Sequence, residues 1–100
     1  MPECGYIKKQ NKGDGYCSVG WRFREDRIFQ GHRLSGFLSG IEADRVKAVM
    51  NTENGVFGYN VVAGSLTEVA LFGRGQSCIE IISVAVDDNW ETQLLQCLAS

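Results

Sequence analysis

The stretch of this chain with the most pointed chemistry is Trp21-Arg22-Phe23-Arg24, where cations and aromatics alternate. On a β-strand successive side chains point to opposite faces, so Arg22 and Arg24 would line one face while Trp21 and Phe23 line the other. Arg27, His32 and Arg33 follow, and Lys8, Lys9 and Lys12 precede. Guanidinium groups gathered in this way grip carboxylates or phosphates through paired hydrogen bonds. Arg22, Arg24, Arg27, His32 and Arg33 are therefore the candidate binding residues. The same alternation is also what an ordinary solvated strand face over a core presents, with Glu25 and Asp26 close by to offset its charge.

The inventory for catalysis is thin. His32 is the single histidine, the one side chain that ordinarily titrates near neutrality, but its neighbour Arg33 disfavours the imidazolium. No nucleophile elbow surrounds any serine or cysteine. Gly15 and Gly20 stand at the separation of a phosphate loop, yet Trp21 and Arg22 occupy the places where Lys and Ser or Thr are required. Cys4, Cys17, Cys78, Cys97 and His32 form no C-x-x-C pair and present no two ligands from one turn, so neither a metal nor a cofactor is expected. The adjacent carboxylates Glu25-Asp26 and Asp87-Asp88 read as a turn and a helix start.

These residues point first to a small non-catalytic binding protein, acting through protein–protein contact as an inhibitor, adaptor or immunity-type factor. A small enzyme or small-molecule-binding domain is the alternative, with its site between sheet and helix drawing on Tyr16, His32, Tyr59, Asn60 and Glu80. The third class is nucleic-acid binding through residues 6–33. It is the weakest of the three, because the chain is acidic overall, with a pI of about 5.3. An acidic protein partner fits the arginine face at least as well.

Charge is unevenly spread. Residues 1–50 carry nine basic and six acidic side chains, whereas residues 51–100 carry one and six. Such polarity steers partners without choosing a fold. With 44% hydrophobic and 22% charged residues, the 100-residue chain has the composition of an ordinary globular domain rather than a disordered or collagen-like one. It shows no secretory signal and no apolar run of membrane-spanning length, so a cytoplasmic protein with reduced, passive thiols and no membrane partner is expected.

The elements that would position these groups form an α+β fold, an antiparallel sheet of four to six strands with a C-terminal helix on one face. Residues 1–15, rich in Gly and Lys, read as a flexible arm with at most a short strand at Tyr6 to Lys8, ahead of a single domain over 16–100. Tyr16 to Arg24 alternates as a half-buried strand, and Arg27 to Leu34 is expected to return as its hairpin partner. Residues 34–41, with helical apolar spacing but two glycines, read as a loop or irregular strand.

Ser39-x-x-Glu42 has the form of a capping box, so a second helix is expected near residues 40–51, although Arg45 to Met50 also alternates. Asn54-Gly55 before Val56 to Ala63 signals a hairpin into a strand. Thr67 to Phe72 is expected to pair with Cys78 to Val86, a strand apolar on both faces and so covered on each side. Asp88 opens the C-terminal helix, whose Trp90, Leu94, Cys97 and Leu98 share a face. Several strands carry Val, Ile and Phe on both faces, more apolar surface than one helix covers. A two-fold homodimer is therefore expected, with the oppositely charged halves facing one another.

Overall fold

In the computed structural model, which describes residues 5–99, six strands and two helices follow the order β1 (Tyr6–Gly13), β2 (Tyr16–Phe23), α1 (Gly31–Gly40), β3 (Arg45–Thr52), β4 (Gly55–Val62), β5 (Ser65–Leu71), β6 (Ser77–Ser83) and α2 (Asn89–Leu95). The strands form one antiparallel sheet in the spatial order β1-β2-β6-β3-β4-β5. Both helices send their buried side chains into the core, Leu34 and Leu38 from α1 and Trp90 and Leu94 from α2. The Cα radius of gyration, 12.8 Å, is that of a compact chain of this length.

Alternation explains the two faces. Val19, Trp21 and Phe23 of β2, Ile79 and Ile81 of β6, Val46, Ala48 and Met50 of β3, and Tyr59 and Val61 of β4 all turn inward and are buried. Their neighbours in sequence turn the other way. Each hairpin has its own turn chemistry. Asp14 and Gly15, like Ala63 and Gly64, both have positive φ, which matches the right-handed twist of the strands they join. Between β3 and β4 the turn residues are Glu53 and Asn54, and Gly55 at φ +116° opens β4.

Several expectations are corrected. The N-terminal segment is no arm over residues 6–13: those residues form edge strand β1, paired with β2 along its whole length, and Tyr6 packs against the core. Residues 1–4 lie outside the described residues. The hairpin partner of β2 is thus β1, not Arg27 to Leu34. Gly31–Gly40 is instead helix α1, where burial of Leu34 and Leu38 outweighs the helix cost of Gly36, about 1 kcal/mol. Gln30 at the cap position makes no side-chain bond, and the first N–H of α1, on Gly31, donates to the Glu53 carboxylate at 3.0 and 3.1 Å.

Residues 45–52 form β3 rather than a helix. A helix would leave their backbone bonds local, whereas a strand between β6 and β4 pairs on both sides and still buries Val46, Ala48 and Met50. The strand over 65–71 pairs with β4, not with Cys78 to Val86, because the two-residue turn Ala63-Gly64 returns it directly. β6 is central as expected, between β2 and β3, but only its Ile79–Ile81 side is covered; Glu80 on the other side is exposed.

The C-terminal helix occupies residues 89–95 with Trp90 and Leu94 buried; it ends before Cys97 and Leu98, of which Cys97 is buried just beyond it. Its first-turn acceptor is Asp87, whose Oδ1 takes the Asn89 N–H at 2.8 Å, while the side chain of Asp88 makes no capping bond. Residues 28–30 tie β3 to the C-terminal segment: Phe29 N–H donates to Asn51 O and Gln30 N–H to Cys97 O.

Candidate functional site

Helices on one side only leave the other face of the sheet open. Across its strands the register aligns Ile7, Arg22, Cys78, Val49 and Gly58 in one row, and Lys9, Gly20, Glu80, Lys47 and Asn60 in the next. Gly20 has no side chain to fill its place, and β6 approaches it so closely that a Cβ there would lie 3.3 Å from Ile79 O. The result is a shallow hollow of about 540 Å³ centred on β2 and β6. Its rim carries the cations Lys9, Arg22 and Lys47 against the single carboxylate of Glu80. Ile7 and Val49, 46% and 40% exposed, give it apolar walls.

The five arginine and histidine candidates do not converge. Arg22 alone stands on the open face. Arg24, just past the end of β2, donates from Nε to Asp26 Oδ1 at 3.0 Å, and the side chain of Arg27 lies over Gly5. Arg33 reaches from α1 to the C-terminal end of α2, donating to Gln96 O at 3.3 Å. His32 sits at the start of α1 on the helix side of the sheet. In place of its sequence neighbours, Arg22 is joined by Lys9 and Lys47 from other strands. Lys47 and Val49 belong to the alternating Arg45 to Met50 stretch, so a strand reading of that stretch would have found them.

A second, smaller hollow of about 200 Å³ lies between α1 and strands β4 and β5, lined by His32, Ser35, Thr52, Tyr59 and Glu68 among others. Ser35 Oγ–H donates to Glu68 Oε1 at 2.8 Å. Burial, reinforced by the Glu68 carboxylate, pushes the Tyr59 phenol up to about 12. Tyr59 therefore stays protonated at neutral pH and is not a base there. Of the polar residues expected in a small-molecule site, His32 and Tyr59 meet here, whereas Asn60 and Glu80 fall on the open face.

On the covered face of the sheet, Glu91 clasps α2 to β1 and β2. Its Oε1 accepts from Trp21 Nε1–H at 3.1 Å and pairs with Lys8 Nζ at 3.3 Å, and its Oε2 accepts from Tyr6 O–H at 3.3 Å. These donors, Trp21 foremost, hold its carboxyl below the usual range. A lowered folded-state value stabilises the fold above the ordinary carboxylate range, and that contribution is lost as the pH falls through the folded value. The stability gap between the wild type and Glu91→Gln is thus expected to be widest near neutrality and to close on acidification. Urea titrations at a series of pH values measure it, and a pH-independent gap would show that the clasp is not ionic.

Of the cysteines, Cys17, Cys78 and Cys97 are unpaired thiols, and Cys4 lies outside the described residues. Burial pushes the Cys97 thiol up, and its S–H donates to Gln93 O, which makes it a poor nucleophile. Among the described residues no group of three or more His, Cys, Asp or Glu side chains is placed to hold a metal ion. No helix among them is long and apolar enough to cross a membrane. Comparison with protein-family models, curated proteins and solved structures finds no match for this chain.

Proposed function

We propose that this chain is a non-catalytic protein-binding module whose open sheet face receives an acidic, apolar-bearing segment of a partner protein. The observation that carries this reading is the rim of Lys9, Arg22 and Lys47 around apolar walls at Ile7 and Val49, on a face that no helix covers. Carboxylates of the partner would meet the cations, and its apolar side chains would cover Ile7 and Val49. A nucleic acid is the less suitable ligand for the same face, since Glu80 stands in the middle of it and the chain is net acidic. A second copy of the chain is proposed as a further partner, through the bare edge of β5.

An array of peptides alternating Asp or Glu with Leu or Phe, with a single-stranded oligonucleotide as counter-probe, tests the reading. Peptide binding is expected to weaken with salt, and the double variant Lys9→Glu, Lys47→Glu to lower affinity by about tenfold or more with its melting temperature unchanged. Binding that survives the double variant, or an oligonucleotide that outcompetes every acidic peptide, would exclude this assignment.

A further inference from the structure

We infer that the chain self-associates by pairing β5 with β5 of a second copy, antiparallel about a two-fold axis at Val69, to give one continuous twelve-stranded sheet. This rests on the self-association proposed above and adds its surface and register.

The two edges of the sheet differ. β1 carries Lys8, Lys9 and Lys12, the kind of charged edge that discourages strand addition. β5 spans seven residues with no Lys, Arg or Pro, and Glu68 is its only charge. Around it lie exposed apolar side chains, half-exposed Val69 and Val62, Leu71, and the fully exposed Phe72 just beyond the strand. An edge of this length with a single charge is a template for another strand.

The hairpin turn decides which backbone groups face outward. Val62 and Ser65 flank the two-residue turn and form its hydrogen-bonded pair, and such pairs alternate along an antiparallel ladder. Ser65, Thr67, Val69 and Leu71 therefore spend their N–H and C=O groups on β4, and Leu66, Glu68 and Ala70 turn theirs to the free edge. A partner strand must place its own outward residues opposite these.

Registers centred on Thr67, Glu68 or Val69 meet that condition, and centring on Thr67 leaves Phe72 beyond the end of the partner's β5. Centring on Glu68 sets the two Glu68 carboxylates face to face, which is repulsive. Centring on Val69 pairs Glu68 with Ala70 and Leu66 with Phe72 through hydrogen bonds. It brings Val69 against Val69 as a close non-hydrogen-bonded pair, with Thr67 against Leu71 beside it. Only this register buries Phe72, which would lie against Leu66, a side chain packed against the core.

Sedimentation equilibrium of the wild-type chain across the micromolar range, with two variants, tests the inference. A mass rising toward two chains is expected. Val69→Lys, which sets two ammonium groups against each other at the axis, should raise the dimer dissociation constant by about tenfold or more. Ala70→Pro removes an outward N–H and leaves the β4 ladder intact, so it should do the same if the lysine variant folds poorly. Glu68→Gln should change the constant by less than about twofold in the Val69 register, whereas a large strengthening would place Glu68 opposite itself and overturn that register. A dimer that survives both Val69→Lys and Ala70→Pro would overturn the β5 edge while leaving self-association standing. A wild-type mass of one chain at every concentration would overturn both.

Discussion

Truncation of Phe23 to alanine is expected to cost about 3–5 kcal/mol, a large share of the roughly 5–15 kcal/mol that holds a domain of this size folded. The ring is fully buried at the end of β2. It meets Phe29 edge-on, with centroids 4.9 Å apart and an interplanar angle of 84°, and lies 5.3 Å from the ring of Tyr6. Such aromatic contacts add to the transfer energy of the ring itself. Phe29 is fixed by its backbone bonds to β3, with Gln30 beside it bonded to the C-terminal segment, so the walls of the vacated space cannot easily collapse inward. Urea unfolding followed by tryptophan fluorescence measures the loss. A cost under about 1 kcal/mol would show that the site relaxes to fill the cavity.

Leu94→Ala is expected to cost about 2–5 kcal/mol, because Leu94 is fully buried where α2 docks on the sheet. A seven-residue helix has little stability of its own, so its presence depends on this packing and on the Glu91 clasp to Trp21, Lys8 and Tyr6. The same urea titration checks it, and a loss below about half a kcal/mol would show α2 undocked or its register misassigned. Pairing Leu94→Ala with Glu91→Gln extends the test. The two side chains belong to one docked helix, so their costs should not simply add.

Local pattern carried much of the architecture. The α+β class, the inward row Val19-Trp21-Phe23, the turn before Val56, the central position of residues 78–83 and the C-terminal helix all follow from alternation, helical spacing or turn residues within a few positions of each other. Where two local signals competed, tertiary pairing chose between them. Ser39-x-x-Glu42 and the Ala43-Val46-Val49-Met50 stripe favour a helix, but a segment with a strand on each side gains two ladders and buries Val46, Ala48 and Met50. Gly36 argues against a helix at residues 31–40, yet Leu34 and Leu38 had a core to enter.

The site divides along the same line. That Arg22 points away from Trp21 and Phe23 is a property of the strand and was legible in four letters of sequence. That its companions are Lys9 and Lys47, rather than Arg24, Arg27 and Arg33, follows from the strand order β1-β2-β6-β3, which pairs residues as far apart in the chain as Cys17 and Ser83. Side-chain direction is a local consequence of backbone geometry, so the sequence by itself determined which face each residue takes. Which residues share that face depends on pairings between distant strands, and only the tertiary structure decided it, because those pairings are selected by the burial of the whole core at once.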